Sequence, residues 1–405
     1  YDVVKTLYPM CRNSSFKITV TMIKKEYNWL ITKVESGNTS KNHYGLAVDL
    51  GSTTIIMQLV DLNNGQVIAE ESTFNKQIKY GEDILSRIFY TKQYENGLDE
   101  IQNSTIESFK ELIDKLENKT NIKIKNCGIM TVAGNTTMMH FLLGINPWTI
   151  FQSPFTPVFN EGGFIKGKEI GIPIDGYVYC FPSIANYFGG DLVSGLLYSE
   201  IYKKDELSAF IDIGTNGELV IGNKDFLIAA AGAAGPALEG GISKYGMRAS
   251  DGAIDSVKII NNKITYTTIN NKKARGICGS GIVDLIAELF LNKWIDFSGT
   301  LIPENSTSIL KINDEYVVEY VTKEESFNGE SLIFTQSDIN QFLKTKSAAN
   351  TMVAYLLEEI GLDINELDYF YTAGAFGTHI DVKSAVTIGM YPDLPENKII
   401  SPGNS

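Results

Sequence analysis

One repeat constrains this chain more than any other feature. The segment Leu46-Ala-Val-Asp-Leu-Gly-Ser-Thr-Thr-Ile-Ile-Met-Gln-Leu-Val has the same order of parts as Ala209-Phe-Ile-Asp-Ile-Gly-Thr-Asn-Gly-Glu-Leu-Val-Ile: apolar strand, aspartate, glycine turn, second strand. A third apolar run follows each copy, Val67-Ile-Ala after Asn64-Gly65 and Phe226-Leu-Ile-Ala after Asn223-Lys224, which predicts two three-stranded antiparallel meanders. Apolar residues at three- and four-residue steps predict helices over Gly81 to Tyr90, Ile106 to Leu116, Gly190 to Tyr202, Ser280 to Leu291 and Ser337 to Ile360. The short runs Ile129-Met-Thr-Val and Tyr369-Phe-Tyr-Thr lead past a glycine into helical segments, as strand-turn-helix units do. The 405 residues are therefore expected to form a duplicated, two-lobed α/β fold.

Ahead of the repeat, Phe16-Lys-Ile-Thr-Val-Thr-Met-Ile and Trp29-Leu-Ile-Thr-Lys-Val alternate apolar and polar residues around a polar turn, which predicts a β-hairpin. The polar stretch Ser36-Gly-Asn-Thr-Ser-Lys-Asn is a candidate boundary. The expected division is a short β-rich segment over 1–42, a first lobe over 43–207 and a second over 208–405. The first residue is Tyr1 rather than Met and no charged-then-apolar leader follows it, so residues are expected to have preceded it.

In Asp49-Leu-Gly-Ser-Thr-Thr a carboxylate ends a strand, and Gly51 allows a turn whose N–H groups and hydroxyls, at Ser52, Thr53 and Thr54, can face a phosphate. Taken alone, such a turn is adequately explained as a hairpin cap. The second copy places Gly214, Thr215, Asn216 and Gly217 after Asp212, and two related lobes would bring both turns onto one polyphosphate. Hydrated Mg2+ takes one or two carboxylates with phosphate oxygens, which makes Asp49 and Asp212 the candidate pair. In Tyr371-Thr-Ala-Gly-Ala-Phe-Gly-Thr, Gly374, Ala375 and Gly377 lack bulk at a strand-to-helix step, either for packing or for close approach of adenine and ribose.

Composition removes other classes. With 48 acidic against 35 basic residues the formal net charge is -13, which disfavours a nucleic-acid partner. Glycines and a proline interrupt the longest apolar stretch, Phe226 to Leu238, so no membrane helix is expected. Cys11, Cys127, Cys180 and Cys278 lie far apart, as reduced cytoplasmic thiols would, and His43, His140 and His379 show no metal-ligand spacing.

Two phosphate turns followed by a glycine-rich adenosine turn resemble the actin, sugar kinase and Hsp70-like ATPase superfamily, from Tyr44 to about Asp381. Several blocks are similar to the ATP-dependent reductive activators of corrinoid proteins: Asn75-Lys-Gln, Gly81-Glu-Asp-Ile-Leu-Ser-Arg-Ile, Asn135-Thr-Thr-Met, Pro154-Phe-Thr-Pro, Ala234-Gly-Pro-Ala-Leu-Glu-Gly-Gly, Gly276-Ile-Cys-Gly-Ser-Gly-Ile-Val-Asp and Ala373-Gly-Ala-Phe-Gly. The resemblance implies Mg2+ and ATP as ligands and a corrinoid (cobalamin-containing) protein as partner. It further implies ATP hydrolysis coupled to return of cobalt from Co(II) to Co(I), with a candidate homodimer. In the best-known architecture of such activators a 2Fe-2S plant-type ferredoxin domain precedes the ATPase, and in other members a ferredoxin-like domain follows it. The four scattered cysteines do not match its ligand spacing, and residues up to about Gly37 resemble the end of the preceding module. The family usually continues past the point where this chain stops, into a helix that returns to the first lobe.

Gly235-Pro236 is read as a helix start with free N–H groups, and Glu239 one turn later is a candidate ribose contact or an ordinary exposed glutamate. Gly279-Ser-Gly281 is a second candidate turn or a plain helix cap. Asp191, after Gly189-Gly190, either caps a helix or, by the resemblance, orients the attacking water. A small-molecule kinase and a nucleotide-timed assembly or chaperone-like protein remain alternative readings of the same fold.

Overall fold

The computed structural model describes residues 2–186, 188–213, 217–232, 241–374 and 380–403. The chain divides into two units, Tyr1–Ser194 and Gly195–Ser405.

Unit 1 opens with helix α1 (Asp2–Asn13), packed on a hairpin of β1 (Ile18–Lys25) and β2 (Asn28–Ser36). The hairpin meets the expectation of a short N-terminal β-rich segment, and α1 stands ahead of it as an element the sequence reading did not include. Val4, Leu7, Tyr8 and Cys11 do fall at helical spacing, but Pro9 lies inside the run, and proline weakens any helix signal by removing a backbone donor.

The meander follows as β3 (Tyr44–Leu50), β4 (Thr54–Asp61) and β5 (Gln66–Phe74). After it come α2 (Ile84–Gln93), α3 (Gly97–Thr120), β6 (Ile129–Ala133), α4 (Thr136–Leu143), α5 (Trp148–Phe151), β7 (Gly163–Lys166), β8 (Tyr177–Cys180) and α6 (Gly190–Ser199). The six strands order as β5-β4-β3-β6-β8-β7, with β3, β6 and β8 parallel. Leu46, Val48 and Leu50 of β3 join Ile55, Met57 and Leu59 of β4 in a core closed by Ile101, Phe109, Leu112 and Leu116 of α3. The two-residue period of a strand sends Asp49 to the opposite face from those leucines and valine. Asp83 caps α2 by accepting the Ser86 N–H, which starts the helix three residues later than Gly81. Ser104, Thr105 and Ser108 are buried along α3, and these polar residues in its apolar stripe hide its full length from sequence.

Unit 2 repeats the meander as β9 (Ser208–Ile213), β10 (Gly217–Gly222) and β11 (Leu227–Gly232). Then follow β12 (Ala253–Ile260), β13 (Lys263–Thr268), β14 (Gly276–Ile277), α7 (Gly279–Leu291), β15 (Ile309–Ile312), β16 (Glu315–Val321) and β17 (Leu332–Thr335). The unit ends with α8 (Gln336–Glu359), β18 (Tyr369–Ala373), α9 (Val382–Thr387) and β19 (Ile399–Gly403). Its main sheet orders as β11-β10-β9-β18-β19, with β9, β18 and β19 parallel, so β9, β10, β11 and β18 stand where β3, β4, β5 and β6 stand in unit 1. Two smaller sheets, β13-β12-β14 and β15-β16-β17, have no counterpart in unit 1. Helix α7 covers the edge of β12 with carboxylates: Asp284 accepts the Val257 N–H at 3.2 Å and Glu288 the Ile259 N–H at 2.9 Å. Among the described residues no helix is long and apolar enough to cross a membrane.

Candidate functional site

In unit 1, Asp49 ends β3 with Ala133 of β6 on one side and Ile56 of β4 on the other. Three backbone segments meet here, with glycine at each contact. A Cβ on Gly51 would stand 2.4 Å from the Thr54 carbonyl oxygen, one on Gly134 2.8 Å from the Leu50 oxygen, and one on Gly189 2.3 Å from the Asn135 Cα. The Gly190 N–H donates to the Gly134 carbonyl at 2.8 Å, joining the start of α6 to the end of β6. These are the carboxyl ends of parallel strands, where open α/β sheets bind their ligands.

The turn after Asp49 is fixed from behind. Its three consecutive carbonyls are all taken: Gly51 O accepts from Asn75 Nδ2 at 2.9 Å, Ser52 O from Arg87 Nη1 at 2.7 Å, and Thr53 O from the Asn75 N–H at 2.9 Å. In a trans peptide the N–H points opposite to the C=O. The N–H groups of Ser52, Thr53 and Thr54 therefore face away from Asn75 and Arg87, and these three residues keep partial exposure. Gln77 completes the brace, accepting from Arg87 Nη1 at 3.1 Å and donating to Thr105 Oγ1 at 2.6 Å. Asn75, Gln77 and Arg87 are all fully buried. The sequence blocks around them flagged a family likeness; nothing local in them marked a brace.

Asp191 lies in the first turn of α6, and its Oδ1 accepts the Leu192 N–H at 2.9 Å. Burial, and then the negative charge of Asp49, push its carboxyl up to about 7. The structure thus places Asp191 within electrostatic reach of Asp49, a pairing the sequence did not contain. A carboxyl that titrates near neutrality can hold or release a proton under working conditions.

In unit 2, Asp212 ends β9 with Ala373 of β18 on one side and Glu218 of β10 on the other. Gly374 follows Ala373 with φ +87, a left-handed backbone that favours glycine, and Gly217 opens β10. The expectations for Gly214, Thr215, Asn216, Gly235, Glu239, Ala375 and Gly377 fall outside the described residues. Glu218 is the carboxylate that sequence reasoning passed over, although its offset from Asp212 in the hairpin was there to be counted.

Gly281, Cys278 and His140 each have a packing role, and His379 lies outside the described residues. A Cβ on Gly281 would meet the Ile254 oxygen at 2.4 Å, so α7 needs glycine to lie against β12. Cys278 is buried at the start of α7 with its Sγ 3.2 Å from the Ile254 oxygen. His140 is fully buried, with Nδ1 2.7 Å from the Thr136 carbonyl and Nε2 accepting the Val158 N–H at 3.2 Å, so both ring nitrogens are in use. Among the described residues no three His, Cys, Asp or Glu side chains gather to hold a metal ion.

Comparison with known proteins adds two family matches. Residues 44–204 match the RACo middle region, and residues 206–405 match the C-terminal domain of RACo, the ASKHA domain. The chain is 35% identical over 387 residues to the corrinoid activation enzyme RamQ of Eubacterium limosum, covering 93% of this chain and 65% of that protein. It is 24% identical to a Co(II) methylated amine-specific corrinoid protein reductase of Methanosarcina barkeri, covering 89% of this chain and 68% of the relative. A solved reductive activator for a corrinoid, iron-sulfur protein superposes with a TM-score of 0.91 at 37% identity, over 100% of this chain and 65% of that one. The chain thus spans about 65% of the length of RamQ and of the solved activator.

Proposed function

This chain belongs to the RACo family, with an actin-like ASKHA fold, and on that premise we propose that it hydrolyses Mg2+-ATP to drive reductive reactivation of a corrinoid protein from Co(II) to Co(I). The supporting observation is the first turn: a glycine that admits no Cβ, followed by carbonyls tied back so that successive N–H groups face outward. Such a turn is built for an anion.

In this reading Ser52, Thr53 and Thr54 receive phosphate oxygens, as do Gly214, Thr215, Asn216 and Gly217 of the second copy. Asp49 and Asp212 are the residues that would hold Mg2+, which when bound would supply neutralisation of phosphate charge. Gly235, Glu239, Gly374, Ala375 and Gly377 receive the adenosine. Asp191 accepts a proton from the water that attacks the terminal phosphorus, while ADP leaves; its carboxyl, pushed up to about 7, suits that exchange. In this reading the electron comes from an iron-sulfur domain outside these residues, as the scattered positions of Cys11, Cys127, Cys180 and Cys278 in the sequence suggest. No electron step is assigned to this chain.

The decisive experiment measures ATP turnover with and without a Co(II)-state corrinoid protein while a chemical donor reduces the cobalt and the visible spectrum is followed. Faster turnover and an ATP-dependent spectral change are expected. A phosphorylated small molecule as product would select the kinase reading, and nucleotide-dependent sedimentation without any corrinoid would select the assembly reading.

A further inference from the structure

Arg87 poses a problem that the fold alone does not solve. Its guanidinium is fully buried, yet no carboxylate bonds to it. Nε donates to the Gly81 carbonyl at 2.9 Å, Nη1 to Ser52 and Gln77, and Nη2 has no partner. Burial pulls its pKa down to about 10, against a weaker pull upward from Asp83. A buried charge without a counter-charge is among the costliest groups a core can hold, and for stability alone an apolar side chain of similar volume would serve better.

We propose that Arg87 is a positioning residue whose charge is answered by the anion on the other side of the first turn. The inference rests on the nucleotide reading above, in that it takes the anion to be a polyphosphate. Arg87 donates to the Ser52 carbonyl, and the same peptide carries the Thr53 N–H on its opposite side. Pulling on that oxygen polarises the peptide and makes the Thr53 N–H a stronger donor to phosphate. The charge itself acts through a poorly polarisable interior, where its attraction is little screened. Gln77 supplies a neutral acceptor where a glutamate would fit, which leaves the positive charge uncancelled. Asn75 holds the neighbouring carbonyls, so the turn keeps its shape while Arg87 supplies the field.

The test titrates the full chain with adenosine, ADP and ATP by calorimetry, for wild type, Arg87→Met, Arg87→Lys and Gln77→Glu, with melting temperatures recorded alongside. Arg87→Met is expected to weaken ATP by at least about tenfold, or about 1.4 kcal/mol, ADP by less, and adenosine hardly at all. Arg87→Lys recovers part of the ATP affinity because the charge remains. Gln77→Glu gives Arg87 a carboxylate partner; it is expected to weaken ATP without lowering the melting temperature, which a merely structural role would not produce. If Arg87→Met fails to fold, the Gln77→Glu ratio of ATP to adenosine affinity decides. Equal losses for adenosine and ATP, or none, while wild type binds ATP, would overturn the inference and leave the nucleotide reading standing. Failure of wild type to bind any of the three would overturn the nucleotide reading and the inference with it.

Discussion

The two copies of the Asp-Gly turn sit on the same strand order but differ in the charged residues placed beside the aspartate. Each aspartate has an alanine beside it on the next parallel strand, Ala133 for Asp49 and Ala373 for Asp212, with a glycine directly after. On the other side the copies part: Asp49 faces Ile56, whereas Asp212 faces Glu218. Directly opposed residues of an antiparallel pair have Cβ atoms roughly 5 Å apart, so Glu218 adds a second carboxylate where unit 1 has a methyl-bearing side chain. Behind the first turn lies Arg87 instead. Duplication kept what positions a turn, the strand register and the small neighbours, and let the charge diverge.

The strongest way to break that comparison is to remove each aspartate in turn. Asp49→Ala and Asp212→Ala are each expected to cut ATP turnover by about 100-fold or more, and a copy that tolerates the change is not a working half of the site. Next in size is Asp191→Asn, expected to lower turnover by about 100-fold. In wild type the rate should rise with pH through about 7, as Asp191 loses its proton, and the asparagine variant should lose that limb. The same carboxyl works against the fold. Its native pKa lies above the ordinary carboxylate value, so stability falls as pH rises from about 4 towards 7, and Asp191→Asn should be more stable than wild type at about pH 8 by on the order of 2 kcal/mol. Thermal denaturation across that range reads the effect directly.

Gly51→Ala sharpens the comparison at the backbone. With the new Cβ 2.4 Å from the Thr54 oxygen, a loss of about 1–3 kcal/mol in chemical denaturation is expected. The smallest effect belongs to Glu218→Ile, which gives the second copy the first copy's residue. It should weaken nucleotide binding a few-fold with Mg2+ present and leave binding in chelator unchanged; an equal effect in both would deny Glu218 a role near the cation.

The meanders, β6 and β18, and the cores of α2, α3, α6, α7 and α8 were legible because their signals are local: a two-residue period, a 3.6-residue period, and aspartate and glycine chemistry at turns. What stayed hidden depends on long-range contact. Asn75, Gln77 and Arg87 are polar residues whose burial no period predicts, and the effect of Asp49 on Asp191 exists only after β3 and α6 meet. In the small sheets of unit 2, β13 alternates apolar with polar residues only briefly and β15 is four residues long, too short to register. Helix α1 was masked by a single proline.

The thiols have a practical consequence. Burial pushes Cys127 and Cys180 up to about 12, Cys278 is buried as well, and Cys11 on α1 is the one of the four that keeps some surface. Thiol reagents need both access and thiolate, so a maleimide dye at neutral pH should attach at Cys11 of the native chain and spare the rest. These residues thus offer a single labelling point for fluorescence work, and the later uptake of further dye counts, thiol by thiol, the opening of their interior.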